Sequence, residues 1–160
     1  MKKPTLDRTD LALLRLLQVH GRISNAELAE RAHLSASACL RRVQRLEAAG
    51  VIAGYGARLD PQQVGLGLQA FVRVQLARHD AAAIAGFTAR MAEADEVLAC
   101  HALTGDMDYL LHVAVVDLAD FSRFLLDRLL GVGDVADVNS SFVLRTVKQA
   151  QGLPLAHLQD

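Results

Sequence analysis

The sequence has no tryptophan, only two cysteines and three prolines in 160 residues, and 4% aromatics. Each scarcity excludes something. Cores must be aliphatic, built from Ala, Leu and Val. Cys39 and Cys100 make neither a CxxC pair nor a disulfide framework. That fits a reducing cytoplasm, although a single Cys39–Cys100 bridge stays open. No apolar run approaches the ~18 residues needed to cross a bilayer; Tyr109 to Val116 is interrupted by His112. Met1-Lys2-Lys3-Pro4 is not an apolar secretory start. Six histidines are scattered without ligand spacing, so no metal site is expected. Nucleophile elbow, P-loop and G-x-G-x-x-G are all missing. No catalytic residue and no cofactor is therefore assigned. Disorder is excluded too, because 52% of residues are hydrophobic and 22% charged.

What is present is an uneven charge. The chain carries 17 basic and 18 acidic residues, net -1. Residues 1–60 hold ten basic and six acidic side chains, net +4, and residues 61–160 hold seven and twelve, net -5. Such a split suggests a nucleic-acid-binding piece joined to something else.

Periodicity supports the division. Asp7 or Thr9 caps a helix with Leu11, Leu14 and Leu17 on one stripe, ending near Gly21. Ser24 and Glu27 read as a capping box for a second helix carrying Leu28 and Ala32. Ser35 caps a third, which runs to Ala49 and stops at Gly50. The turn is short, His33-Leu34, so the second and third helices form a helix-turn-helix. His33 suits left-handed backbone there. Val51 to Gly56 reads as a short strand, the wing and linker of a domain covering 1–60, with the linker reaching about 66.

The second half alternates. Strands are expected at Leu68–Leu76, Val97–Leu103, Tyr109–Val116 and Val135–Leu144. Asp80 caps a helix with Ile84, Phe87 and Met91 inward, and Asp117 one with Leu118, Phe121, Leu125 and Leu129. The order β-α-β-β-α-β is ferredoxin-like, making the chain α+β, with this domain over 67–150 and a tail over 151–160. One sheet face stays uncovered by helices, so an oligomer is expected.

The third helix carries the chemistry. At roughly 100° per residue, Cys39, Val43 and Leu46 form a docking stripe. Ser37, Arg41, Arg42, Gln44 and Arg45 fall outward. Arg pairs bidentately with guanine and Gln with adenine in the major groove, and the helix start reaches base edges. Ser35 and Ser37 suit phosphates or bases there, and Arg22 suits a phosphate. A solvated basic face on an ordinary helical bundle is the competing reading.

Leu6-Asp7-Arg8-Thr9-Asp10, Gly21 to Ala29, Leu34-Ser35, Cys39 to Val43, Leu46-Glu47, Gly50-Val51-Ile52 and Tyr55 form a set of runs. Together they resemble the leucine-responsive/asparagine-operon regulator family, Lrp/AsnC. Cys100 to Leu111 is similar to the family's Gly-Asp-x-Asp-Tyr hairpin, and Ser141-Phe142-Val143 with Val147-Lys148 to its final strand. The resemblance spans about residues 5–150. It departs at Ala36 and Ala38, where many members carry prolines that pre-set the helix start.

The resemblance implies a cytoplasmic transcription regulator binding double-stranded promoter DNA. It implies an amino-acid effector, with leucine or methionine favoured, and homodimers assembling into tetramers or octamers. The effector site would lie at an interface between dimers, near the loop Thr104 to Asp108. A zwitterion needs acceptors for its ammonium and donors for its carboxylate. Thr104 and Gly105 offer amides, Asp106 and Asp108 acceptors, Ser140 and Ser141 hydroxyls, and Leu103 a wall. By spacing alone, the same run reads first as a turn whose aspartates accept backbone amides, and it is the resemblance that favours ligand contact. Two other classes compete: a ferredoxin-like dimeric enzyme, such as a small oxygenase, and a pure oligomerisation scaffold. Against the enzyme, the second half clusters no His/Arg/Asp set.

Overall fold

Asp7 opens the first helix, α1 (Arg8–Val19). Its side chain accepts from the Asp10 amide at 2.8 Å, and Asp10 accepts from the Asp7 amide at 3.1 Å. Two otherwise orphaned donors are thereby satisfied. The computed structural model describes residues 5–131, 133–150 and 152–158. Lys2, Lys3 and Asp160, counted in the charge above, and the Met1–Pro4 start lie outside the described residues. The chain divides into two compact units, Met1–Arg58 with Lys148–Asp160, and Leu59–Val147.

In the first unit, α2 spans Asn25–Arg31 and α3 spans Ala36–Ala48. Ser24 accepts from the Glu27 amide at 3.2 Å, but the reciprocal half of the expected capping box is not made. Glu27 instead accepts from Arg31 one turn on, at 2.7 Å. This i,i+4 pair is itself favourable. His33 sits at φ 53°, in the left-handed conformation that lets a two-residue turn reverse the chain. Ser35 caps α3 through the Ala38 amide at 3.2 Å, and Gly50 at φ 68° closes it. Leu13, Leu28, Ala29 and Cys39 form the buried centre. Burial pushes the Cys39 thiol up, and both cysteines are free.

The strand expected at Val51–Gly56 does not form. Residues 51–52 are a bend, and 53–60 have no regular structure. Strand propensity needs a partner to express itself, and none of the described residues pairs with this segment. Tyr55 fixes the segment another way, donating to Glu47 on α3 at 2.9 Å. Partial burial, then the Glu47 carboxylate, push its phenol up to about 12, so it remains a donor.

The C-terminal segment packs on this same unit. Gln18 of α1 accepts from the Leu153 amide at 2.6 Å and donates to the Leu153 carbonyl at 3.3 Å. Arg58 donates to Gln149 at 3.1 Å. Gly152 lies at φ 135°, a backbone conformation that L side chains rarely adopt, and packs closely against the Gln18 side chain.

The second unit contains β1 (Leu68–Leu76), α4 (Ala81–Glu93), β2 (Val97–Ala102), β3 (Tyr109–Val115), α5 (Leu118–Phe124) and β4 (Val135–Phe142). The strands lie in the order β2-β3-β1-β4, all antiparallel, which is the ferredoxin-like arrangement. Ala70, Val72, Val74 and Leu76 alternate inward along β1, the first three opposite Val113, Leu111 and Tyr109 of β3, and Val115 is buried with them. Phe87 and Met91 of α4, and Phe121 and Phe124 of α5, cover them.

Two helical expectations are corrected. Ile84 and Leu118, placed inward by periodicity, lie exposed at the rims. The second helix also continues as a π-helical turn over Leu125–Leu130. Its wider step lets Phe124 and Leu129, five apart, both bury, leaving Leu125 only half-buried. The sheet's other face carries Phe71, Arg73 and Ser141 without a helix over them. Phe71 stacks on His112 at 4.7 Å, and His112 pairs with Gln69 at 2.9 Å. Burial lowers the His112 pKa, favouring the neutral ring.

Candidate nucleic-acid interface and effector loop

Three helices set up a basic surface. Asn25 at the start of α2 donates to the Ala36 carbonyl at 2.9 Å and ties α2 to the first turn of α3. Arg41 and Gln44 project from α3, exposed, with no hydrogen bond or ion pair to another described residue. Ser37 is exposed at the helix start, 3.3 Å from the Ser35 hydroxyl. Ser35 is committed to its cap, so its hydroxyl is already an acceptor. Arg22 is exposed in the turn before α2.

Arg42 and Arg45 are not free readers. Arg42 donates to Asp7 at 2.6 Å and to Asp10 at 2.9 Å. Arg45 donates to the other oxygen of Asp10. Asp10 is fully buried, at 0% exposure, while Arg42 and Arg45 keep 29% and 55% of their side chains accessible. A carboxylate without solvent needs such partners. The two arginines therefore fasten α3 to α1. The helical wheel missed this because it shows one helix only. The legible signal was Asp7 and Asp10 three apart, complementary to Arg42 and Arg45 three apart. The Asp10 amide, then Arg42, hold the Asp7 carboxyl below its ordinary value.

In the second unit, the loop Leu103–Asp108 joins β2 to β3. Leu103, Thr104, Gly105 and Asp106 are exposed, and Gly105 turns at φ 119°. Met107 is buried, and Tyr109 packs on Phe87 with ring centroids 4.6 Å apart. Asp108 is corrected as a free acceptor. Its Oδ2 takes the Leu76 amide at 2.7 Å, and His79 approaches its two oxygens at 3.0 and 2.9 Å. That leaves Asp106 as the loop's uncommitted carboxylate. Ser140 and Ser141 are not brought to this loop within one chain. They pair with Val72 and Phe71, and β1 and β3 stand between β4 and β2. Being adjacent on a strand, they also face opposite sides of the sheet.

Residues 6–53 match the winged helix-turn-helix DNA-binding domain, and residues 69–153 match the Lrp/AsnC ligand binding domain. The chain belongs to the Lrp/AsnC family. It is a DNA-binding transcription regulator. The Bkd operon transcriptional regulator of Pseudomonas aeruginosa is 41% identical over 150 residues, covering 94% of this chain and 98% of that protein. The leucine-responsive regulatory protein of Escherichia coli K12 is 39% identical over 148 residues, covering 92% and 90%. A transcriptional regulator of Neisseria meningitidis, solved in complex with L-methionine, superposes with a TM-score of 0.93 at 49% identity, covering 96% of this chain and 99% of that one. These Lrp/AsnC relatives are named as regulators. Among the described residues, no helix is long and apolar enough to cross a membrane, and no metal-ligating cluster of His, Cys, Asp or Glu occurs.

Proposed function

We propose that this regulator reads promoter DNA through Arg41, Gln44 and Ser37, with Arg22 on a phosphate, and responds to an aliphatic amino acid at Thr104–Asp106. The observation that carries the effector is the L-methionine complex of the N. meningitidis regulator, 49% identical to this chain. The loop supports it chemically. Thr104, Gly105 and Asp106 are exposed; the first two carry amides that complement a carboxylate, and Asp106 complements an ammonium. Methionine and leucine are the preferred ligands, against the exposed Leu103.

The same reading makes the protein a cytoplasmic, non-enzymatic homodimer that needs no cofactor. Two copies join through the helix-free sheet face around Phe71, and dimers assemble further into tetramers or octamers. A partner copy is then the source of any hydroxyl, such as Ser141, that completes the site.

Calorimetric titration with L-methionine and L-leucine tests the effector. Asp106→Ala is expected to weaken binding by about tenfold or more, as one charge-assisted hydrogen bond is lost. Operator affinity without ligand should stay unchanged. Equal binding by the variant and the parent chain rejects the site.

A further inference from the structure

Asp108 is held at four points. Its amide donates to the Val74 carbonyl at 2.9 Å, and its carbonyl accepts from the Leu103 amide at 2.8 Å. The β1–β3 ladder ends at the pair Val74–Tyr109. Beyond it, the Leu76 amide meets no backbone carbonyl of β3, and the Asp108 carboxylate takes its place at 2.7 Å. His79 then bridges both carboxylate oxygens from the turn between β1 and α4. That turn is itself fixed, since Asp80 caps α4 through the Ala83 amide at 3.0 Å and pairs with Arg78 at 2.7 Å. The Leu76 amide, and after it His79, hold the Asp108 carboxyl below its ordinary value despite some burial.

We propose that His79 is a positioning residue of the effector loop. By clamping Asp108 against the β1–α4 turn, it fixes the loop stem so that Thr104, Gly105 and Asp106 present their amides and carboxylate to an amino acid. This rests on the effector reading above. The assignment follows from connectivity. A backbone amide of β1 and the His79 side chain from the turn after it meet on the residue where the loop rejoins the sheet. His79 itself stands outside the loop, and its ring pairs with Asp108.

The test uses the full chain, titrated calorimetrically with L-methionine and L-leucine. His79→Ala removes the donor and is expected to raise Kd by about threefold to tenfold, the range for one exposed charge-assisted bond. His79→Gln keeps an N–H that reaches Asp108 and should stay within about twofold of the parent chain, since a neutral donor replaces the imidazole. Thermal midpoint and operator affinity without ligand should not change in either variant, which separates positioning from general stability. If the parent chain binds and His79→Ala binds equally well, the role of His79 is overturned while the effector site stands. If His79→Gln loses as much as His79→Ala, the imidazole touches the ligand itself, and positioning is overturned. If the parent chain binds neither amino acid, the effector reading falls and takes this proposal with it.

Discussion

Replacing Asp10 with alanine is expected to destabilise the helical unit by about 3–5 kcal/mol, the cost of removing one partner from a buried ion pair. The side chain is fully buried and receives Arg42, Arg45 and the Asp7 amide. Without it, two guanidiniums face each other across a cavity and an amide loses its acceptor. Because both arginines retain solvent, the lower end of the range is the better expectation. Asp10→Asn keeps an acceptor and the volume, and should lose less. The thermal midpoint, followed by helical circular dichroism, should fall by about 10 °C or more for a unit this small. An unchanged midpoint would sink the account of the α1–α3 clamp. The clamp also has a pH signature. Asp7 is held below its ordinary value of 3.8, so its contribution is complete above that value. It is lost as the pH falls through the lowered one. Acid below about pH 4 should therefore loosen this unit, by the linkage that governs any depressed carboxyl.

Arg41→Ala should show the opposite profile. It is expected to cost about 1–3 kcal/mol on the preferred operator, roughly fivefold to 150-fold in affinity, if it pairs with a guanine edge. Its thermal midpoint should match the parent chain, because Arg41 fastens nothing. Arg42→Ala should lower the midpoint and leave discrimination between operators largely intact. Fluorescence anisotropy on matched and scrambled duplexes separates these outcomes. Equal losses for Arg41→Ala on every duplex would move it from base reading to phosphate contact. Binding should also fall steeply with salt, as neutralised phosphates release counterions. Salt-insensitive affinity would contradict the basic surface.

Most of the architecture was legible because it is written locally. Asp7, Ser24, Ser35, Asp80 and Asp117 each cap the helix that follows, through an amide three residues on. His33 in a two-residue turn and Gly50 after α3 both take left-handed backbone. The strand expected at Leu68–Leu76 forms as β1, and Asp117 opens α5 as a cap. What escaped was non-local. Arg42 and Arg45 look outward on their own helix, and only the position of α1 turns them into clamps. Asp106 and Asp108 look equivalent in Thr104-Gly105-Asp106-Met107-Asp108. The end of the β1–β3 ladder distinguishes them, by leaving the Leu76 amide for Asp108 to accept. Val51–Gly56 has strand-like residues but no neighbour to pair with. The π-helical turn at Leu125–Leu130 shifts the register of an otherwise readable stripe.

The segment that returns to α1 makes the DNA-binding unit discontinuous in sequence. The polypeptide leaves it at Arg58, builds the sheet unit, and comes back at Lys148. Gln18 both donates to and accepts from the Leu153 backbone, and Gly152 beside it holds backbone that L side chains rarely adopt. A fragment cut after residue 58 is thus a module with a missing piece. Dissection of this regulator, or exchange of its reading head with a relative's, has to carry residues 148–158 along with 1–58.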